Sequence, residues 1–358
     1  MQGVQFAGWR GVVNILFYGA CHAGALQGIV DRFGPSGIST DRLHNFKLIQ
    51  AGKPFPYDTL GQYDAVVFQP LVNRGEYNTD RLVDACAGLG IQSIAFPLIE
   101  WGGYFPGLVN PGNGKFRYYP ELFRLSLEYN NFNAFEAFVI DGHEVVGAEA
   151  AAARATKMLR RMEEFGQSHI TVSDLIEAGF RDERLMLLPQ HPSRGLYSGI
   201  VRQLEDLLGF RVDPSFHYGG YEPQEEGVYP ILPATIRALG LRFRNCEFVS
   251  SVFFGDARAR SLREWLHMYY YAARNLVTYE VKADTVIKRW PSSLAAHTQE
   301  PHLTLKAGET LVAREGEVLD RNRRVVQVVV GTKRVAPGSE WVLQGTSWRR
   351  FDFRPPKA

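Results

Sequence analysis

The chain is short of cysteine. Three thiols, Cys21, Cys86 and Cys246, lie far apart in 358 residues. An odd, scattered set argues against a secreted disulfide framework and lacks the paired spacing of a zinc site. The chain is equally short of net charge: 40 basic and 38 acidic side chains leave +2, too little to mark a nucleic-acid track or a patch for an anionic membrane. Long hydrophobic runs are missing too. The apolar stretch Val12 to Tyr18 is too short to span a bilayer and leads into Gly19, Cys21 and His22 without a small-residue cleavage pattern, so it reads as a strand and not as a signal. Reduced thiols and no targeting segment together predict a cytoplasmic protein with no metal.

The remaining composition, 45% hydrophobic and 22% charged, is that of a globular protein able to build a core without covalent staples. The length predicts a main body with an appendage, since single cores stop growing at roughly 250–300 residues. Val12 to Tyr18 followed by Ala23 to Phe33 reads as strand, turn and helix. Tyr63 to Phe68 with a helical segment from Thr79 to Gly88 forms a second such unit, and Ile91 to Pro97 is a third strand. Short apolar strands alternating with helices predict an α/β fold, a mostly parallel sheet flanked by helices. Glu121 to Phe165 reads as largely helical, Leu185 to Leu188 as a buried strand, Arg194 to Leu208 as a helix, and Ala257 to Ala273 as another. Alternating runs such as Arg324 to Val330 describe hairpins. The expected organisation is an α/β catalytic core over 1–210 with a helical insertion at 115–165, an aromatic-rich helical extension over 211–290, and a small β-rich C-terminal domain over 291–358.

The sequence Gly19-Ala20-Cys21-His22-Ala23-Gly24 places a thiol where a strand turns into a helix. Unpaired N–H groups and the positive dipole end favour a thiolate there, and a nearby imidazolium would lower the thiol pKa further. Small neighbours let the turn be tight and let a carbonyl approach the backbone donors. Read alone, Cys21 is equally compatible with a small buried hydrophobe closing a strand. A phosphate loop is excluded because Gly24 is followed by Ala25-Leu26 and not by Lys-Ser/Thr, and a dinucleotide turn is excluded because Cys21 stands where the second glycine must be. Gln190-His191-Pro192-Ser193-Arg194 supplies a histidine between a buried strand and a helix, fixed in direction by proline. A neutral imidazole there can take the thiol proton and return it to a leaving group.

A nucleophile at the first strand-helix turn and His-Pro before the last helix are similar to the layout of SGNH/GDSL esterases and acyltransferases, with Cys21 in place of serine. More closely, the chain resembles the WcbI family of capsular polysaccharide biosynthesis acetyltransferases. The blocks that carry the resemblance are Phe17-Tyr18-Gly19-Ala20-Cys21, Asp64-Ala65-Val66-Val67-Phe68-Gln69-Pro70-Leu71, and Phe96-Pro97 through Gly103-Tyr104-Phe105-Pro106, with His191-Pro192 behind them, over about residues 12–210. The resemblance implies O-acetylation of a sugar in surface polysaccharide biosynthesis, with acetyl-CoA as donor. It departs from the family pattern at Ala20, usually asparagine, and at His22, usually glutamine. Leu188 stands where the esterase pattern has an aspartate.

Around this centre Gln69 ends a strand on the same carboxyl edge and can complete an oxyanion hole or cap loop backbone. His22 can serve as a second base or fill a polar gap. Glu100 can orient a histidine, bind a sugar hydroxyl or be merely solvated; Trp101 and Tyr104 are candidates to stack on a sugar ring or adenine, or to pack on their own scaffold. Arg194, Lys53 and Arg74 are candidate cations for the phosphates of a CoA. The partners expected are a small-molecule acyl donor and a carbohydrate acceptor, without nucleic acid or membrane insertion, and a homo-oligomer is left open. The competing readings are a carbohydrate esterase with the same centre and a non-catalytic glycan-binding protein.

Overall fold

A computed structural model of the chain describes residues 13–110, 117–224, 227–243, 249–250, 259–274, 277–289, 302–320, 323–330, 340–344 and 348–351. Cys246 lies outside the described residues. The chain divides into two compact units, Met1–Pro106 with Glu144–Val249, and Gly107–His143 with Ser250–Ala358.

The first unit is built on a parallel sheet. Its strands are β1 (Val13–Gly19), β2 (Ile38–His44), β3 (Ala65–Phe68) and β4 (Gln92–Ala95), in the order β2-β1-β3-β4. β1 and β3 are central, and their continuous apolar runs are buried on both faces. Alternation divides those faces: Leu16, Tyr18, Val66 and Phe68 join Phe55, Leu60, Leu82 and Cys86 in one core, and Ile15 and Phe17, also fully buried, point to the opposite side. β2 is an edge strand with a mostly exposed, polar sequence; it was not expected, because it offers no apolar run. At the outer edge of β4 the His169 backbone N–H donates to the Ala95 carbonyl (2.8 Å) and its Nδ1 accepts from the Ala95 N–H (3.0 Å), which engages the end of that edge strand.

Between the strands run α1 (Cys21–Phe33), α2 (Asn45–Gln50) and α3 (Asp80–Leu89). α1 buries His22, Ala23, Leu26, Ile29 and Val30, the stripe of a helix lying on a sheet. Farther along come α4 (Ala148–Phe165), α5 (Ser173–Gly179), the short antiparallel pair β5 (Met186–Leu188) and β6 (His191–Pro192), and α6 (Arg194–Leu208). The expected strand at Leu185–Leu188 is therefore buried as anticipated, but it pairs with the histidine segment in a tight hairpin. α6 ends at Gly209 in the left-handed conformation (φ 72°), which only glycine adopts without strain.

In the second unit, helices Pro120–Glu128, Phe132–Ala137 and Leu262–Ala272 gather aromatic side chains, and the Tyr119 N–H donates to the Tyr269 hydroxyl (2.8 Å). Leu262–Ala272 starts at a capping box between Ser261 and Glu264. Among the described residues seven antiparallel strands follow, beginning at Val277–Val281, around a core of Tyr279, Val281, Ile287, Leu311, Val326 and Val328. The β-rich part thus begins earlier than the expected residue 291, and the stretch 121–165 is split between the units. Its first helices group with 262–272, while α4 belongs with the parallel sheet.

Candidate active site

The strand order places β1 between β2 and β3, so the chain crosses to opposite sides of β1 in leaving it and returning. Ligands of open α/β sheets bind outside the carboxyl ends of strands at such a switch point. Register brings Gly19 level with His44, and Tyr18 level with Phe68. Cys21 follows β1 and Gln69 follows β3 at that edge.

Cys21 is the first residue of α1 and is exposed. Ala20, at the cap position, provides no side-chain hydrogen bond, so the first-turn N–H groups stay open. Those of His22 and Cys21 point at the sulfur and favour its thiolate, as do the side-chain amide of Gln224 and the charge of Arg42. Desolvation by the protein around the thiol outweighs all of them and pushes its pKa up. The sequence-based expectation of a lowered pKa is corrected on this point: the helix end and its neighbours soften a burial penalty larger than their sum.

A hydrogen-bond relay fixes the turn. The Ala20 N–H can only donate, so Gln69 must turn its Oε1 toward it (2.6 Å). That leaves the Gln69 Nε2 to donate to His22 Nδ1 (3.1 Å). His22 then carries its proton on Nε2 and gives it to the Gln190 carbonyl (2.8 Å). His22 is fully buried, and desolvation pushes its pKa down to about 4, aided by the nearby His191 and opposed by the Gln190 hydrogen bond. It is a neutral strut between the Cys21 turn and the His191 segment, with both ring nitrogens engaged. Gln69 is buried as well, with its amide committed to the same relay. Gly19 makes room for it: a Cβ there would lie 2.7 Å from Gln69 Oε1 and 3.0 Å from Ala23 Cβ.

His191 is half-buried and is held from three sides. Its hairpin pairs Leu188 with His191, the Ser193 N–H donates to the Leu185 carbonyl (2.9 Å), and the Ser193 hydroxyl donates to the Arg184 carbonyl (2.6 Å). Its ring packs against Gly227, where a Cβ would come within 3.3 Å of Nδ1. Glu100 is exposed beside this segment, because the Trp101 N–H donates to the Pro189 carbonyl (2.7 Å).

Other candidates fall elsewhere. Trp101 and Tyr104 are fully buried and edge-packed on each other at 4.8 Å; the indole N–H donates to Thr156 (2.9 Å) and the Tyr104 hydroxyl donates to the Phe180 carbonyl (2.6 Å). Their rings have no exposed face on which a sugar or adenine could stack. Arg194 spends its guanidinium on the His217 carbonyl. Lys53 and Arg74 are exposed, in turns after α2 and β3.

Two residues at the centre escaped the sequence reading. Gln224 is buried, and the hydroxyl of the fully buried Tyr197 donates to its Oε1 (3.0 Å), which turns its Nε2 toward Cys21. The segment leading to it runs back along α1: the Asp213 N–H donates to the Phe33 carbonyl (2.6 Å), Tyr221 packs on Phe33 at 5.4 Å, and Arg32 lies 4.7 Å from the Tyr221 ring. Arg42, on β2, donates from Nη2 to the Ala20 carbonyl (3.3 Å). Among the described residues, no group of His, Cys, Asp and Glu side chains is arranged to hold a metal ion, and no helix is long and apolar enough to cross a membrane.

Comparison with known proteins agrees with this architecture. No curated protein matches the chain. A solved structure described as WcbI, a polysaccharide biosynthesis enzyme, in a form without a disulfide bond between coenzyme A and a cysteine of that protein, is 16% identical. It aligns with 74% of this chain and 90% of its own at a TM-score of 0.57, a likeness of fold. The model of the family described as polysaccharide biosynthesis enzyme WcbI matches residues 14–213. That span holds β1, the Cys21 turn, Gln69 and the His191 hairpin, and it makes up more than half of the chain, which therefore belongs to the WcbI family of polysaccharide biosynthesis enzymes.

Proposed function

We propose that the protein is an acyltransferase that moves an acyl group, acetyl in the simplest case, from coenzyme A to a sugar hydroxyl during polysaccharide biosynthesis. The observation that carries this reading is the exposed Cys21 thiol at an uncapped helix start, at the switch point of the sheet and joined through the His22 relay to the His191 hairpin. Membership of a family of polysaccharide biosynthesis enzymes supports a carbohydrate acceptor. The description of the related structure in terms of coenzyme A and a cysteine supports the donor.

In this mechanism His191 accepts the Cys21 proton as the sulfur attacks the thioester carbonyl. The oxyanion is met by the N–H groups of Cys21 and His22 and by the Gln224 amide. Collapse expels the CoA thiolate, which takes the proton from His191 and leaves an acyl group on Cys21. A sugar hydroxyl then attacks this thioester, gives its proton to His191, and the Cys21 thiolate departs and is reprotonated. A thiol with a raised pKa needs such a base, since little thiolate is present at neutral pH. Lys53 and Arg74 remain as exposed cations for the CoA phosphates, and Glu100 as a polar neighbour of the acceptor.

The test is intact-mass analysis after incubation with acetyl-CoA. The reading expects one acetyl group, mapped to Cys21, absent in Cys21→Ala, and slow to form in His191→Ala. Failure of the folded protein to bind CoA or to become acetylated refutes it.

A further inference from the structure

Arg42 is an exposed cation beside Cys21, with no salt-bridge partner among the described residues. Its register partner on β1 is Phe17, so its side chain leaves the sheet on the face of α1 and climbs toward the carboxyl edge. The guanidinium lies over Gly24, one turn beyond Cys21: a Cβ on Gly24 would stand 2.2 Å from Nη1 and 2.3 Å from Cζ. The glycine is thus a seat for this group, and the Ala20 carbonyl holds one of its nitrogens at 3.3 Å. Among the described residues no carboxylate pairs with it. Asp41 accepts the Tyr63 hydroxyl (3.0 Å), and Asp31 accepts the Thr40 hydroxyl. Its influence on the Cys21 thiol is the last and smallest of those that favour the thiolate, so activation of the sulfur does not account for its placement.

Geometry also limits what anion can reach it. When a CoA thioester meets Cys21, the pantetheine arm carries the phosphates far from the sulfur, whereas the sugar hydroxyl that attacks acyl-Cys21 brings its own ring into the first turn of α1. Arg42, seated on that turn against the Ala20 carbonyl and Gly24, is the cation that a substituent on such a ring would meet. A planar fork of N–H donors matches a carboxylate.

We infer that Arg42 is a specificity-determining residue, and that the acceptor is a sugar bearing a carboxylate, of the uronic acid class. The inference rests on the reading of Cys21 as the nucleophile, but its test needs no donor. The full-length protein is titrated with methyl β-glucuronide and, separately, with methyl β-glucoside, by ligand-observed NMR, for wild type, Arg42→Gln and Arg42→Lys. Wild type should bind the glucuronide about tenfold more tightly than the glucoside, the worth of one charge-assisted contact, and added salt should weaken the preference. Arg42→Gln should abolish the preference while its circular dichroism stays native, and Arg42→Lys should restore part of it. Equal binding of the two glycosides, absence of glucuronide binding, or an unchanged preference in Arg42→Gln each overturns the inference. Acetylation of Cys21 by acetyl-CoA, measured separately, reports on the nucleophile alone, so the two failures are told apart.

Discussion

Acid should loosen the Cys21 turn through His22. The folded chain holds this imidazole neutral with a pKa of about 4, against 6.5 for a free histidine. Between those values the unfolded state carries a proton that the folded state lacks, so stability falls as pH falls. The stabilisation is complete above pH 6.5 and lost as pH drops toward 4. The gap corresponds to about 3 kcal/mol, at about 1.4 kcal/mol per pH unit. The structural reason is a conflict of donors: a proton on Nδ1 would face the Gln69 amide N–H, 3.1 Å away, and Gln69 cannot turn without abandoning the Ala20 N–H. Because the chain has two compact units, the readout should be local. Native-state hydrogen exchange across Val13–Phe33 at pH 7.5, 6, 5 and 4, for wild type and His22→Gln, isolates the effect. His267, also pushed down to about 4, is common to both proteins and cancels. The advantage of wild type over His22→Gln should shrink by about 3 kcal/mol across the range. A constant difference would show that His22 titrates alike in both states and would refute the relay.

The raised Cys21 pKa predicts that its alkylation by iodoacetamide accelerates about tenfold per pH unit up to at least pH 9; a plateau below pH 8, with Cys21→Ala as the blank, would contradict it. Gln224→Leu removes a donor to the sulfur and should raise that titration further while lowering kcat more than it raises KM; an unmoved pH profile would remove Gln224 from the site. Gly19→Ala forces a Cβ to 2.7 Å from Gln69 Oε1, and overpacking of that kind should cost about 1–3 kcal/mol in urea unfolding and slow Cys21 acetylation.

Much of the centre was legible because its signals are local. The run from Val13 to Gly19, the small residues around Cys21, the close of β3 at Gln69 and the His191-Pro192 pair each announce themselves within a few positions. β2 did not, since an edge strand with one solvated side has a polar, weakly alternating sequence, and Arg42 went unseen with it. Gln224 has no local mark at all: it reaches the sulfur because residues 213–224 pack back along α1. Trp101 and Tyr104 show the opposite error, since an aromatic loop reads the same whether its rings face solvent or, as here, the core. The thiol pKa was misjudged in direction because helix-end donors are visible in a sequence and the depth of surrounding protein is not. The grouping of 107–143 with 250–358 depends on contacts far apart in the chain, such as that between Tyr119 and Tyr269, which periodicity cannot reveal.

The bare start of α1 also sets a limit on engineering. Serine, asparagine or aspartate at the position of Ala20 would be an ordinary route to a more heat-resistant protein, gaining about 1 kcal/mol. Here the cap would accept from the His22 or Ala23 N–H, and the His22 N–H is one of the two that favour the thiolate. A campaign that selects variants for melting temperature alone should therefore drift toward a well-folded, unreactive protein at this residue, and thermostability and turnover should be scored together whenever Ala20 is varied.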